Sequence, residues 1–296
     1  MKNFSILFTV LFASLFHAVQ SQNLSPYIKV GVYNDNIITT YNVVQEALQN
    51  NGFDVIGNYN PEGKSNLKVL VLTRSDLQQT VLKVKDRGAL AAVMKVGLKS
   101  SGNGTIITYV NPEYIFNAYL RNEYPKYESS LASFVSDLSE VLSAFGNENK
   151  ELGGSVSVTE LRKYQYKALM PNFDNPIVLK TFTSFEEGMQ TIEKNLINRK
   201  GNTKLVYKLA FKNSKVAVYG VGLLNNSKGE NKFLPIIGED HIAALPYEII
   251  LQDKTATMLH GRFRIALHWP DLTMGTFMKI MSTPGNIEDF LKALCE

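Results

Sequence analysis

Cysteine is nearly absent from this chain of 296 residues: there is one, Cys295. A single thiol excludes an internal disulfide scaffold and any cluster of cysteines around a metal. So close to the end, it reads as a frayed terminal residue rather than as a free or intermolecular thiol with a role. Histidine is scarce, with four residues, and no HExxH zinc helix, GxSxG elbow or Walker loop occurs. Gly220-Val221-Gly222 lacks the third glycine and the following helix of a dinucleotide fingerprint. A dominant charge of one sign is missing too, since 31 basic residues face 27 acidic ones for a formal +4. Nucleic-acid binders show a strongly basic face, so nucleic acid is not an expected partner. Also missing is any apolar run long enough to cross a bilayer as a helix.

What the chain does have begins with a leader. Lys2 precedes the uncharged apolar run Phe4 to Phe16, and Ser21, with Val19 two places before it, suits a cleavage site. Residues 1–21 read as a secretory signal peptide. The mature chain is expected to be exported, periplasmic or secreted, with no transmembrane segment after cleavage. Its length suits two domains, 22–150 and 155–296, joined by the linker GNENKELGG at 146–154.

The two halves run through one order of elements. IKVGVY (28–33) alternates as a strand, and a helical pattern ends at Gly52. FDVIGNY and LKVLVL are strand-like around the turn Asn60-Pro61-Glu62-Gly63, and Ser75 with Gln78 reads as a capping box. ALAAVMKVGL (89–98) and TIITYV (105–110) flank a hairpin turn, and Asn111-Pro112 opens a helix. A further amphipathic helix is predicted over 127–145. In the second half IVLKTFT is a strand and Ser184 with Glu187 caps a helix. TKLVYKLAF, KVAVYGVGLL, YEIILQ and GRFRIALH (261–268) read as strands, and Pro270 opens a last helical region. Ala91-Ala92 overlays Ala243-Ala244, and Asn111-Pro112 overlays Trp269-Pro270, which makes the second hairpin six residues longer. The pattern predicts an α+β fold of two duplicated β-α-β-β-β-β-α units, the first carrying an extra C-terminal helix.

GFDVIGNYNPEG, GALAAVMKVGL and YVNPEYIFNAYL resemble the domain-of-unknown-function family 302. FLPIIGEDHIAALPYEI and LHGRFRIALHWPDLTMGTFMKIMSTPG are similar to the second half of its longer, two-repeat secreted members. The resemblance covers most of residues 28–295. It implies TBP-like units, each an antiparallel sheet with helices on one side, and brings no catalytic residue with it.

The chemistry-bearing residues concentrate between Glu239 and Met281. Taken as a strand, GRFRIALH places Phe263, Ile265 and Leu267 on one face and Arg262, Arg264 and His268 on the other. The two arginines, about 6.8 Å apart, could hold an anion or an acidic partner, with Trp269 beside them as an interface residue. The alternative is a solvated outer face. His260 and His268 stand about 27 Å apart on such a strand, too far to share one metal. A metal set would instead need His241 with Glu239 or Asp240, joined by His260 or His268; it has ligand types without ligand spacing. Met274, Met278 and Met281 share a helical face, which reads as core packing before copper binding. No cofactor and no catalytic constellation emerges. The expected function is a non-catalytic binding or assembly module with a protein partner or self-association. The alternatives are a histidine-dependent metal-binding factor or enzyme, and a carrier of a small anionic or apolar ligand.

Overall fold

The alternating run Tyr27–Tyr33 forms a strand, and a mixed α+β structure is built outward from it. The computed structural model describes residues 22–296; the expected leader lies outside the described residues. The first half contains β1 (Asn23–Leu24), β2 (Tyr27–Tyr33), α1 (Ile37–Asn50), β3 (Asp54–Tyr59), β4 (Leu67–Thr73) and α2 (Ser75–Val81). It continues through β5 (Met94–Ser101), β6 (Gly104–Val110), α3 (Pro112–Leu120), α4 (Glu128–Ser143) and β7 (Lys150–Leu152). After β8 (Val156–Ser157) and α5 (Val158–Leu161) come β9 (Ile177–Thr181), α6 (Phe185–Ile197), β10 (Thr203–Phe211) and β11 (Val216–Leu223). The chain ends with α7 (Leu234–Ile237), β12 (Tyr247–Gln252), β13 (Thr255–Met258), α8 (Gly261–His268), α9 (Met274–Lys279) and α10 (Thr283–Ala293). Among the described residues no helix is long and apolar enough to cross a membrane.

Two antiparallel sheets carry the fold, one ordered β3-β4-β5-β6-β2-β7 and the other β10-β11-β12-β13-β9. Leaving β7 aside, the strands take corresponding places in both. The registers correspond as well. Lys29 pairs with Thr108 as Val178 pairs with Thr257, and a bulge then skips Val30 in one sheet and Leu179 in the other. Bulges skip Ile56 in β3 and Val206 in β10 in the same way.

Helices cover one face of each sheet. Helix α1 lies on β3 to β6, with α4 packed against α1 and α2. The stripe Leu131, Phe134, Leu138 and Leu142 of α4 is buried there, as its spacing requires. Helices α6 and α10 cover the second sheet. The opposite faces meet each other. The turn Glu239–Ala244, just before β12, sits on β4, β5 and β6, while Gly88–Ala91, just before β5, sits on β11 and β12. Gly57 of β3 approaches β10 so closely that a Cβ there would lie 2.1 Å from the Val206 carbonyl oxygen.

Several expectations are corrected. GRFRIALH is a helix, and the strand in its place is the less apolar Thr255–Met258. Seven of its eight residues are buried, so it carries no one-sided stripe, and the alternation of Phe263, Ile265 and Leu267 imitates a strand. The capping role that Asn111 plays for α3 is taken at α8 by His260, whose Nδ1 accepts from the Arg262 N–H, while Trp269 stands at the other end of α8. The second hairpin is shorter than the first, turning at Asp253-Lys254 between strands of six and four residues. The expected linker contributes β7, which pairs with the edge of β2. Arg74, not Ser75, occupies the cap position of α2. Residues Met274, Met278 and Met281 are exposed, at 49%, 57% and 57%, because α9 ends at Lys279 and Ile280 turns inward instead. Cys295 is not frayed: it is fully buried beside Leu294.

Candidate functional site

Side chains alternate along β5, so Lys95, Gly97 and Lys99 face the second half together. On β12 Glu248, Ile250 and Gln252 face the first half. Lys95 meets Glu248, Lys99 meets Asp240 at 2.9 Å, and Gln252 Nε2 donates to the Lys85 carbonyl at 2.9 Å. Gly97 leaves room for Ile242, which a Cβ would approach to 2.6 Å. Helix α8 adds Arg264 to this centre. Its Nε donates to Glu248 at 3.1 Å, its Nη2 donates to the carbonyls of Ala244 and Pro246, and its guanidinium lies 4.2 Å from the Tyr247 ring centre.

Burial alone would raise the Glu248 carboxyl, but Arg264 and Lys95 hold it below the ordinary range. Burial lowers the Lys95 ammonium, an effect that Glu248 opposes and the Arg264 charge reinforces. For Arg264 burial opposes the charge, yet Glu248 leaves its proton held more firmly than usual.

An aromatic group adjoins this centre. His268 is 1% exposed, and both its ring nitrogens reach tyrosines at 3.3 Å, Nδ1 to Tyr27 and Nε2 to Tyr119. Tyr27 Oη donates to the His268 carbonyl at 2.9 Å. One assignment satisfies all three bonds: Nδ1–H donates to Tyr27, and the Tyr119 hydroxyl donates to Nε2. That imidazole is neutral, and burial, with Arg264 and Lys95 nearby, pushes its pKa well below the usual value. Trp269 and His241 pack edge-on, 6.0 Å apart, and His241 also lies 5.4 Å from Tyr27.

The structure thus sorts the expected site residues. Arg262 is exposed, whereas Arg264 at 2% and Trp269 at 1% are buried. Two residues apart on a helix point to nearly opposite sides, so the two-arginine face does not form. Of the metal candidates, Glu239 faces Lys64 and Lys99, His260 caps α8, and His241 donates Nδ1–H to the Gly238 carbonyl. His241 and His268 both lean on Tyr27 and Trp269, and the Asp271 charge acts on His241. Among the described residues no three side chains of metal-binding type converge.

A second buried carboxylate ties the halves together. Glu230 accepts from Tyr59 Oη and the Glu62 N–H of the first half and from the Leu223 N–H of the second, each at 3.0 Å. Burial pushes its pKa up to about 7 despite these donors. The polar sequence NSKGENK around it gives no hint of burial. Lys95 in AAVMKVG and Glu248 in ALPYEII were legible signals, since each puts one charge inside an apolar strand.

No protein-family model matches the chain, and no curated protein matches it.

Proposed function

We propose that the chain is an exported, non-catalytic binding or assembly module made of two TBP-like units, 22–150 and 155–296, as the resemblance to family 302 implies. Support for the two units comes from the shared strand order and bulges, and from which residues touch. By register, Val71 corresponds to Gly220, so their partners Lys95 and Glu248 correspond. Counted from their caps, Tyr119 of α3 and His268 of α8 correspond. Each pair is in contact. Contact between equivalent positions is what an isologous interface produces on its axis.

The observation that carries the non-catalytic reading is that the charged and aromatic centre is sealed. Lys95, Glu248, Arg264 and His268 are all buried, and they bond to one another, to backbone carbonyls or to tyrosines rather than lining an open cleft. Such a centre joins surfaces and offers a substrate no entry. The module therefore acts by holding a protein partner, a second copy or a small ligand. One observation favours the histidine-dependent alternative: Nε2 of His241 is buried without a partner. Elemental analysis of the purified mature chain tests the choice. A transition metal below stoichiometry fits the module; a stoichiometric one lost in His241→Ala overturns it.

A further inference from the structure

Ten large apolar side chains are exposed among the described residues, and five of them gather at one corner: Leu169, Ile236, Met274, Met278 and Met281. Tyr166 and Met170 share an apolar slot with Met274 and Phe277 of α9, and α7, which carries Ile236, packs beside α9. Met278 lies one helical turn on from Met274. Leu169, next to Met170 in the chain, is fully exposed and held at φ 69°, a left-handed conformation that strains a leucine. Scattered apolar side chains on a surface need no explanation, but a contiguous group of them marks a place of interaction.

The charges around this corner are uneven in sign. Lys167, Lys232, Arg262 and Lys279 are exposed, and none has a carboxylate partner among the described residues. No acidic residue occurs in 162–173, 231–238 or 272–287, the stretches that form the corner. Of the acids bordering them, Asp174 holds Arg121, while Glu239 and Asp240 hold Lys64 and Lys99. Glu230 is buried against Tyr59, and Asp271 packs against Gly154 and acts on His241. Glu288, which acts on His260 as Arg262 does, offsets that arginine. Lys167, Lys232 and Lys279 are left in excess beside the exposed methionines.

We propose that this corner is a docking surface for an anionic lipid bilayer. Leu169, Met278 and Met281 enter the interfacial layer, and Lys167, Lys232 and Lys279 lie level with the anionic headgroups. Protruding, unbranched and flexible side chains suit a soft surface that has no fixed shape to match. Lysine stems add apolar length beneath their charges. A second copy docked face to face would set these lysines against their own equivalents, which charge disfavours. The surface lies apart from the sealed centre between the halves, and it gives the module a place of attachment as well as a binding role.

The test sediments chain 22–296 with vesicles of phosphatidylglycerol and phosphatidylcholine in equal parts, and with vesicles of phosphatidylcholine alone. The chain should pellet saturably with the first, at least about tenfold more strongly than with the second, and high salt should erase the difference. A Lys167→Glu, Lys279→Glu variant and a Met278→Ser, Met281→Ser variant should each bind about tenfold or more weakly. The thermal midpoint should hold in both, because all four side chains are exposed. Leu169→Ser repeats the apolar arm should the methionine variant prove unstable. No preference for the anionic vesicles, or binding that these variants leave intact, would overturn the surface. So would poly-aspartate binding as tight as vesicle binding and indifferent to the methionines, which would mean an acidic peptide partner. A wild-type dimer in analytical ultracentrifugation that the methionine variant abolishes would assign the face to a second copy and overturn it too.

Discussion

Replacing Glu230 with Gln should change how the stability of this protein depends on pH more than it changes the stability at any one pH. The carboxyl is fully buried and its pKa rises from 4.5 to about 7, chiefly through desolvation. A raised acid binds its proton more tightly folded than unfolded. Between the two pKa values the unfolded chain has lost that proton and the folded one keeps it, so stability falls as pH rises through the window. A shift of that size corresponds to about 3 kcal/mol lost between roughly pH 4.5 and 7. Gln cannot ionise and removes the slope. It also aims an amide at one of the three donors that Glu230 now satisfies, so the variant should be weaker by about 1–3 kcal/mol at the acidic end.

The wild-type curve alone would mislead, because His268 acts in the opposite direction. Its folded pKa is depressed well below 6.5, so its contribution is present above that value and fades as pH falls and the unfolded chain takes up a proton. The two trends overlap and partly cancel. The informative quantity is the wild-type minus Glu230→Gln difference, measured by urea unfolding with the fluorescence of buried Trp269 as probe, at about pH 5 and about pH 7.5. The variant's deficit should shrink by about 2 to 2.5 kcal/mol from the acidic to the alkaline condition, or reverse sign. A deficit that stays constant would mean that Glu230 is ionised throughout, and that its three donors outweigh its burial.

Arg264→Ala should cost about 3–5 kcal/mol by stranding Glu248, whereas exposed Arg262→Ala should change urea stability by less than about 0.5 kcal/mol; similar effects from the two would show that Arg264 is not buried and paired. Gly57→Ala should cost about 1–3 kcal/mol or more, because the new Cβ meets the Val206 backbone; Gly285→Ala in α10, where the Cβ meets nothing within 4 Å, should stabilise by up to about 1 kcal/mol. Thermal unfolding of both variants reads this directly. The Cys295 thiol, buried and pushed up to about 12, should react with a disulfide reagent only after denaturant is added; reaction of the native protein at a free-thiol rate would place the C-terminus in solvent.

Local chemistry made much of the fold legible. Asn111-Pro112 and Ser184 with Glu187 mark helix starts that form as their side chains imply, with Asn111 Oδ1 and Ser184 Oγ each accepting the expected backbone N–H. The stripe in α4 is readable for the same reason, one face wet and one dry. Helix α8 was illegible because burial on nearly all sides erases the 3.6-residue period. The site suffered most from that misreading, since calling the segment a strand put Arg264 beside Arg262 instead of opposite it. Glu230 could not be found locally at all: its partners Tyr59 and Glu62 lie 171 and 168 residues away.

The two charges that sequence reasoning passed over, Lys95 and Glu248, bear on why the halves pair with each other. A buried ion pair contributes little net stability compared with apolar residues of similar volume. It does discriminate. On the two-unit reading, Lys95 and Glu248 occupy one position of a duplicated unit and meet on the axis between the copies. Two first halves meeting through this face would press Lys95 against Lys95, a burial of like charge that costs several kcal/mol. Two second halves would bring two Glu248 carboxylates together, each held by its own Arg264. The union of a first half with a second half gives Lys95 its carboxylate. The burial of charge that looks wasteful for stability therefore disfavours the pairing of two first halves through this face.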